Sequence, residues 1–259
     1  HGSEQSRRGC SNVHEGASVV LKASRLKSNK VKDVSFELRK GEILGFAGLV
    51  GAGRTETMRL IYGADPKDDG EITINGKSVN IHHSKDAIKN GIGYLSEDRK
   101  RYGLVLGLSI TDNTVLSSYD LAELHKGIFV NEKRSDEISK NYVSQLKTKT
   151  PSVRQLVKNL SGGNQQKVVI AKWMLRNCDI LIFDEPTRGI DIGARAEIYN
   201  LMDSLVKEGK SIIMVSSDMT EILKMSDRII VMCEGRKTGE LDISDATQDK
   251  IMTLATKYQ

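Results

Sequence analysis

Three short stretches of this chain carry residue types and spacings that could handle phosphate. The first is Gly48-Leu49-Val50-Gly51-Ala52-Gly53-Arg54-Thr55-Glu56. Backbone N–H groups between glycines can cradle phosphate oxygens, and the positive end of a following helix adds a favourable field. Thr55 supplies a hydroxyl of the kind that holds Mg2+ in such loops. The residue before it is Arg54, where a phosphate loop ordinarily has Lys. Arg keeps the charge but is larger, planar and forked, so it does not reproduce the point contact of an ammonium. The second stretch is Leu160-Ser161-Gly162-Gly163-Asn164-Gln165-Gln166-Lys167. Its Ser and two Gly open a helix and allow close backbone approach at a terminus that favours an anion. The third is Ile180-Leu181-Ile182-Phe183-Asp184-Glu185-Pro186, with Asp184 placed 23 residues after Ser161. Asp184 at the end of an apolar run suits Mg2+ held through water, and Glu185 suits a base that orients an attacking water. The plainer alternatives are a strand-to-helix turn, a capped amphipathic helix and two solvated carboxylates.

The elements that must position these residues can be read from periodicity. Residues 19–48 alternate apolar and polar in short runs, which predicts strands with a turn at Lys40-Gly41-Glu42. The run Ile43–Ala47 is continuously apolar, as a strand buried on both faces is, and it feeds the glycine loop. Thr55 to about Tyr62 reads as the next helix, giving the strand, loop, helix order of a phosphate loop. Asp65–Gly70 is a turn, Asn75-Gly76 is a hairpin signal after Glu71–Ile74, and Gly91–Leu95 is a short strand. Residues 103–160 change character. Asn131 to about Lys147 and Ser161–Arg176 read as helices, with no strong strand between them. After Cys178 the pattern is strand 180–183, helix about 193–207, strand Ser211–Val215, helix about 218–225 and strand Arg228–Met232. That alternation predicts a parallel sheet with crossover helices. The fold class is therefore α/β: residues 18–259 form one domain with a parallel sheet core, an antiparallel β portion in front and a helical subdomain at about 103–160. Residues 1–17 read as a tag remnant and linker.

Composition sets outer bounds. The chain has 259 residues, 28% charged and 38% hydrophobic, enough for a full core without disulfides or metals. Cys10, Cys178 and Cys233 form no metal-type pair and read as reduced thiols of a cytoplasmic protein. No apolar run approaches the roughly 18 residues of a membrane span, and no signal peptide is visible. A net charge of +5 fits phosphate, nucleic acid or a membrane surface equally. His82-His83 lacks a third ligand and reads as a solvated loop, while Trp173, Met174 and Cys178 read as core.

The three motifs together resemble those of an ABC transporter ATPase domain, from about residue 18 to the C-terminus. Three narrower features resemble the C-terminal ATPase half of monosaccharide importers of the ribose/galactose/xylose type: the Asn164-Gln165-Gln166-Lys167 continuation, Gly51-Ala52-Gly53-Arg54-Thr55-Glu56, and Pro186-Thr187-Arg188-Gly189-Ile190-Asp191. The resemblance implies a P-loop ABC fold with a RecA-like sheet. It implies ATP and Mg2+ as ligands, with Gly48, Gly51, Ala52, Gly53, Arg54, Thr55, Glu56 and Asp184 on the domain's own nucleotide. Thr55, Asp184 and Glu97 would face the metal, and Glu185 would be catalytic. Ser161, Gly162, Gly163 and Gln165 would meet ATP held by an opposite domain.

Departures from the family pattern fall on one half of this machinery. Arg54 replaces Lys. Ser217 stands where the switch His would be, and the last His in the chain is His125. Glu97, within the charge run Ser96–Arg101, replaces the Gln of the Gln loop. No Phe, Tyr or Trp precedes Phe36, so the adenine-stacking aromatic is missing, and Phe36 alternates like a core residue. The signature half is intact. The expected function is thus an ATP-binding domain of a sugar importer that completes its partner's ATP site while its own is degenerate, with weak or no hydrolysis alone. Expected partners are an N-terminal ABC domain of the same polypeptide, transmembrane permease subunits and, indirectly, a periplasmic or extracellular sugar-binding protein, with no nucleic acid. The expected place is the cytoplasmic face of the membrane. The alternatives are a fully competent ABC ATPase and a soluble ABC protein of translation or DNA repair.

Overall fold

A computed structural model describes residues 13, 16–96 and 103–259. Among the described residues, twelve strands and eight α-helices are laid out in two units.

Of the described residues, the first unit takes 13, 16–94, 179–185 and 202–259. It contains two sheets. Strands β1 (Val19–Lys27), β2 (Val34–Arg39), β4 (Asp69–Ile74) and β5 (Lys77–Val79) form an antiparallel sheet in the order β2-β1-β4-β5. The β4–β5 turn is Asn75-Gly76, both left-handed at φ 50° and 78°, which is the backbone an Asn-Gly hairpin supplies at low cost. The second sheet has the order β12-β11-β3-β10-β9-β6, with β3 (Ile43–Ala47), β6 (Ile92–Leu95), β9 (Ile180–Asp184), β10 (Ser211–Val215), β11 (Arg228–Cys233) and β12 (Arg236–Asp242). Strands β11, β3, β10 and β9 run parallel, and β3, β9 and β10 are buried along their whole length. This is why they read as unbroken apolar runs. Across the three strands Phe46, Val215 and Asp184 stand abreast; β9 and β10 end there and β3 one residue later, so their loops leave from the same edge.

Helix α1 (Arg54–Tyr62) follows β3, and α2 (Ser84–Lys89), α7 (Met219–Met225) and α8 (Gln248–Ala255) complete this unit. Its core runs from Leu21 and Leu38 through Phe46, Met58 and Ile61 to Ile182, Val215 and Ile230. Phe36 is buried and packs edge-on to Phe46 at 5.0 Å, as a core residue.

The second unit takes the described residues 95, 96, 103–178 and 186–201. It holds α3 (Ile110–Val115), α4 (Glu132–Gln145), α5 (Gly162–Arg176) and the first part of α6 (Ile192–Lys207). A small core joins Val115, Leu124 and Ile138, with Leu121, Tyr142 and Leu175 packed on it. Residues 103–160 also contain a two-residue pair, β7 (His125–Lys126) and β8 (Phe129–Val130), which left no signal in the sequence. Pairs this short have no periodicity to detect. The antiparallel edge strand β12 also escaped the reading, because Arg236–Asp242 is largely polar and half-exposed. Among the described residues no helix is long and apolar enough to cross a membrane.

Candidate functional site

In the first unit, the loop from Gly48 to Gly53 joins β3 to α1. A side chain at Gly48 would meet the Met232 carbonyl oxygen at 2.7 Å, so only glycine allows this approach. Gly53 caps α1 in the left-handed region at φ 97°, and no side chain occupies the cap. The start of α1 thus lacks a side-chain cap, and a helix N-terminus of this kind favours an anion. Thr55 follows, its hydroxyl 3.3 Å from Asp184 Oδ1. Asp184 is fully buried at the end of β9, and its Oδ2 accepts a hydrogen bond from the Tyr94 hydroxyl at 2.7 Å. A hydroxyl and a carboxylate converging beside a phosphate cradle are oxygen donors of the kind Mg2+ uses together with substrate phosphates. Among the described residues no cluster of three or more His, Cys, Asp or Glu forms a metal cage. Tyr94 was not foreseen. It sits in the strand read at 91–95, packs against Tyr62 at a centroid distance of 5.1 Å, and gave no signal beyond being a polar-tipped aromatic in an apolar strand.

Arg54 is buried, with its guanidinium turned toward the end of β10. Its Nη1 donates to the Ser216 carbonyl at 2.6 Å. Glu185, next after Asp184, is also buried and lies in the left-handed region at φ 51°, a conformation that costs energy in any residue bearing a Cβ. Its backbone N–H donates to the Val215 carbonyl at 2.8 Å, and its Oε1 accepts from the Ser217 N–H at 2.8 Å. Ser217 therefore meets Glu185 through the backbone. Ser216 is buried; its hydroxyl donates to the buried Glu221 carboxylate and accepts from the Asp218 N–H at 3.0 Å. Asp218 in turn caps α7. Glu56 is half-buried on the first turn of α1, and with Lys30 and Arg59 it lines an open hollow of about 460 Å³ that contains no aromatic side chain.

In the second unit, Ser161 is exposed and caps α5, its hydroxyl accepting from the Asn164 N–H at 3.4 Å and from Asn164 Nδ2 at 2.9 Å. Gly162 is the first helical residue. A Cβ at Gly163 would stand 3.1 Å from Ala194 Cβ, so this glycine lets the starts of α5 and α6 pack closely. Gln165, Gln166 and Lys167 face inward. Gln165 Nε2 donates to the Val157 and Leu160 carbonyls at 3.2 Å each, which shapes the turn leading into the loop. Gln166, fully buried, donates to the Pro186 carbonyl at 2.9 Å. Lys167, also buried, pairs with Glu197 at 2.6 Å and reaches the Lys147 carbonyl at 3.1 Å. That bond holds the Glu197 carboxyl below the usual range. Further along α5, Lys172 is buried, donates to the Gly103 carbonyl at 2.8 Å and lies 4.6 Å from the Trp173 ring centre. Burial pulls its ammonium down to about 8.

The remaining sequence expectations can be placed. Ala52 is buried inside the glycine loop. Glu97 lies outside the described residues. His82 and His83 are exposed, and their backbone N–H groups both donate to Asp86 Oδ2. Trp173 and Cys178 are core residues, as read, while Met174 is half-buried.

A family model described as "ABC transporter" matches residues 31–188, more than half of the chain. The chain is 58% identical over 229 residues to a putative ribose/galactose/methyl galactoside import ATP-binding protein of Burkholderia ambifaria, covering 88% of this chain and 44% of that protein. It is 50% identical over 246 residues to the ribose import ATP-binding protein RbsA of Clostridium tetani, covering 95% and 48%. It is 54% identical over 227 residues to the xylose import ATP-binding protein XylG of Thermoanaerobacter pseudethanolicus, covering 87% and 45%. The chain thus spans about half the length of the curated relatives it matches. Among solved structures it is similar to a nucleotide-free ATP-binding cassette from an ABC transporter, with a TM-score of 0.76, 18% identity and coverage of 92% and 96%. It is also similar to a dimeric cassette in a post-hydrolysis state bound to ADP and Pi, with a TM-score of 0.71, 22% identity and coverage of 86% and 98%. At these identities the structural likeness speaks for the fold alone.

Proposed function

Because the chain belongs to the ABC transporter family, we propose that it is the ATP-binding domain of a monosaccharide importer that works mainly by completing a partner domain's ATP site. The sugar follows the relatives named for ribose, galactose, methyl galactoside and xylose import. The partner is an N-terminal ABC domain of the same polypeptide, in keeping with relatives about twice as long. Permease subunits and a sugar-binding protein outside the membrane complete the system, and the domain works on the cytoplasmic face.

The observation that carries the reading is the direction of Arg54. The loop's cation donates to the backbone at Ser216. ATP bound here would meet the N–H groups of α1 and the Thr55 hydroxyl. Thr55 and Asp184 would hold Mg2+, which when bound neutralises phosphate charge, and Tyr94 fixes the Asp184 carboxylate. Glu185 stands where a base would orient water, but no imidazole follows β10 to meet the terminal phosphate. In the second unit, Ser161 and the N-terminus of α5 are open to solvent and suit the phosphates of ATP held by the partner. Loss of one positioned acid, base or phosphate contact costs about 10²–10⁴ in rate. Phosphate release by the purified chain with Mg-ATP is therefore expected well below about 1 s⁻¹, the lower end for competent enzymes. Turnover at or above that rate would overturn the reading.

A further inference from the structure

Ser216 and Ser217 share one peptide bond. Its carbonyl oxygen accepts from Arg54 and its N–H donates to Glu185 Oε1. A cation and an anion thus sit at opposite ends of a single planar amide. Both bonds are charge-assisted, and each polarises the amide in the sense that strengthens the other. The plane cannot swing freely. The Ser216 hydroxyl ties it to Glu221 and to the Asp218 N–H, and the Glu185 N–H ties the acid's own backbone to Val215 on the strand feeding the peptide.

We propose that the Ser216–Ser217 peptide is a positioning element that joins the phosphate-loop cation to the strand-end acid, so that occupation of the phosphate loop and retention of Glu185 oppose each other. An anion that draws the Arg54 guanidinium off the Ser216 carbonyl removes the polarisation at the other end, and the Ser217 N–H loosens its hold on Glu185. The Ser at 217 is compatible with this because the contact is made by the backbone. The position that faces Glu185 is therefore occupied by an amide that reports on the loop. The inference rests on the nucleotide-site reading above only for the identity of the anion; the relay itself exists in the unliganded chain.

The test is amide hydrogen exchange at Ser217, read against Ile213 and Met214 of β10 as internal standards. In the unliganded chain, Arg54→Met and Arg54→Gln should each speed exchange at Ser217 by about tenfold while the β10 amides stay protected. Glu185→Ala should speed it at least as much. Arg54→Met combined with Glu185→Ala should exchange no faster than Glu185→Ala alone, because the two act through one bond. Exchange at Ser217 within twofold of the unaltered chain in the Arg54 variants, or effects that multiply, would overturn the proposal. If an Arg54 variant also unprotects Ile213 and Met214, the decision passes to the unaltered chain with Mg-ADP or inorganic diphosphate. Saturating anion should speed Ser217 exchange several-fold, and saturation without any change would overturn the relay. Absence of nucleotide binding at millimolar Mg-ADP would overturn the functional reading and leave the relay to the Arg54 and Glu185 measurements.

Discussion

At the starts of α1 and α5 the chain faces the same problem, a helix whose first N–H groups have no helical partner, and treats it in opposite ways. The first start is capped by Gly53, which offers no side chain, and its neighbouring cation is drawn inward to the Ser216 carbonyl. The second is capped by the exposed Ser161 hydroxyl, while its inward-facing polar residues, Gln165, Gln166 and Lys167, are tied to backbone carbonyls and Glu197 beneath it. Both loops carry their glycines. What separates them is where the polar heads point. A glycine pattern reports that phosphate can approach; it does not report that the charge needed to act on it is available.

The largest effect should come from opposing substitutions in the two-domain transporter proposed above. Ser161→Arg places a bulky cation at the exposed start of α5, where it would enter a closed phosphate-binding interface, and should drop ATPase activity more than a hundredfold. Glu185→Gln should cost much less if, as proposed, the chain works mainly on its partner's ATP. Ser161 is a cleaner probe than Gly163, where any Cβ presses on Ala194 and confounds packing with function. Equal losses from Ser161→Arg and Glu185→Gln would erase the contrast between the two loops.

A second prediction concerns the helix carrying the exposed cap. Lys172 has its folded-state value pulled by burial from 10.5 to about 8. Between those values the unfolded chain binds a proton that the folded chain does not, so stability should rise with pH across that window and be flat below it. The gain is on the order of 3 kcal/mol. Urea midpoints from pH 7 to 10 should show the rise, and Lys172→Met should flatten it. Tyr142, whose hydroxyl is pushed up by burial, works in the opposite sense above its ordinary 10.0, so the measurement stays below that pH.

A smaller effect should follow Tyr94→Phe. It leaves one oxygen of the buried Asp184 without its 2.7 Å donor, a loss of about 1.5–3 kcal/mol for a hydrogen bond to a charged group. Denaturant titration reads the stability, and weaker Mg2+-dependent nucleotide binding would place the loss at the site. The smallest is Ser161→Ala, which removes a helix cap and should cost about 1 kcal/mol of stability. An unchanged midpoint would mean that the exposed hydroxyl is held for a ligand rather than for α5.

Much of this was legible in the residues. Strands β3, β9 and β10 announced themselves as apolar runs because both their faces are buried, and Asn75-Gly76 announced its hairpin because few other pairs adopt two left-handed residues at so little cost. Arg54, Thr55, Asp184 and Glu185 were named from spacing and converge at one sheet edge. The partners that decide their behaviour were not legible. The Ser216 carbonyl and Ser217 N–H are backbone groups, present at every residue and so invisible as a motif. Tyr94 lies 90 residues from Asp184 and meets it only through the order of strands. The burial of Lys167 and Lys172 was not legible either, because sequence shows neither the packing of α5 nor the carbonyls that meet their ammonium groups.

The alignment of Phe46, Val215 and Asp184 across three parallel strands has a genetic corollary. Side chains alternate between the faces of a sheet, so inserting or deleting one codon within β9 would turn Asp184 from Thr55 and Tyr94 to the opposite face and exchange every buried residue of the strand. Length changes should therefore be tolerated in the β7–β8 connection, where Ile128 and Phe129 are largely exposed, and purged from the five-residue strands. In a library of single-codon insertions and deletions, the survivors should map the loops, and the gaps should trace the row on which Phe46, Val215 and Asp184 are registered.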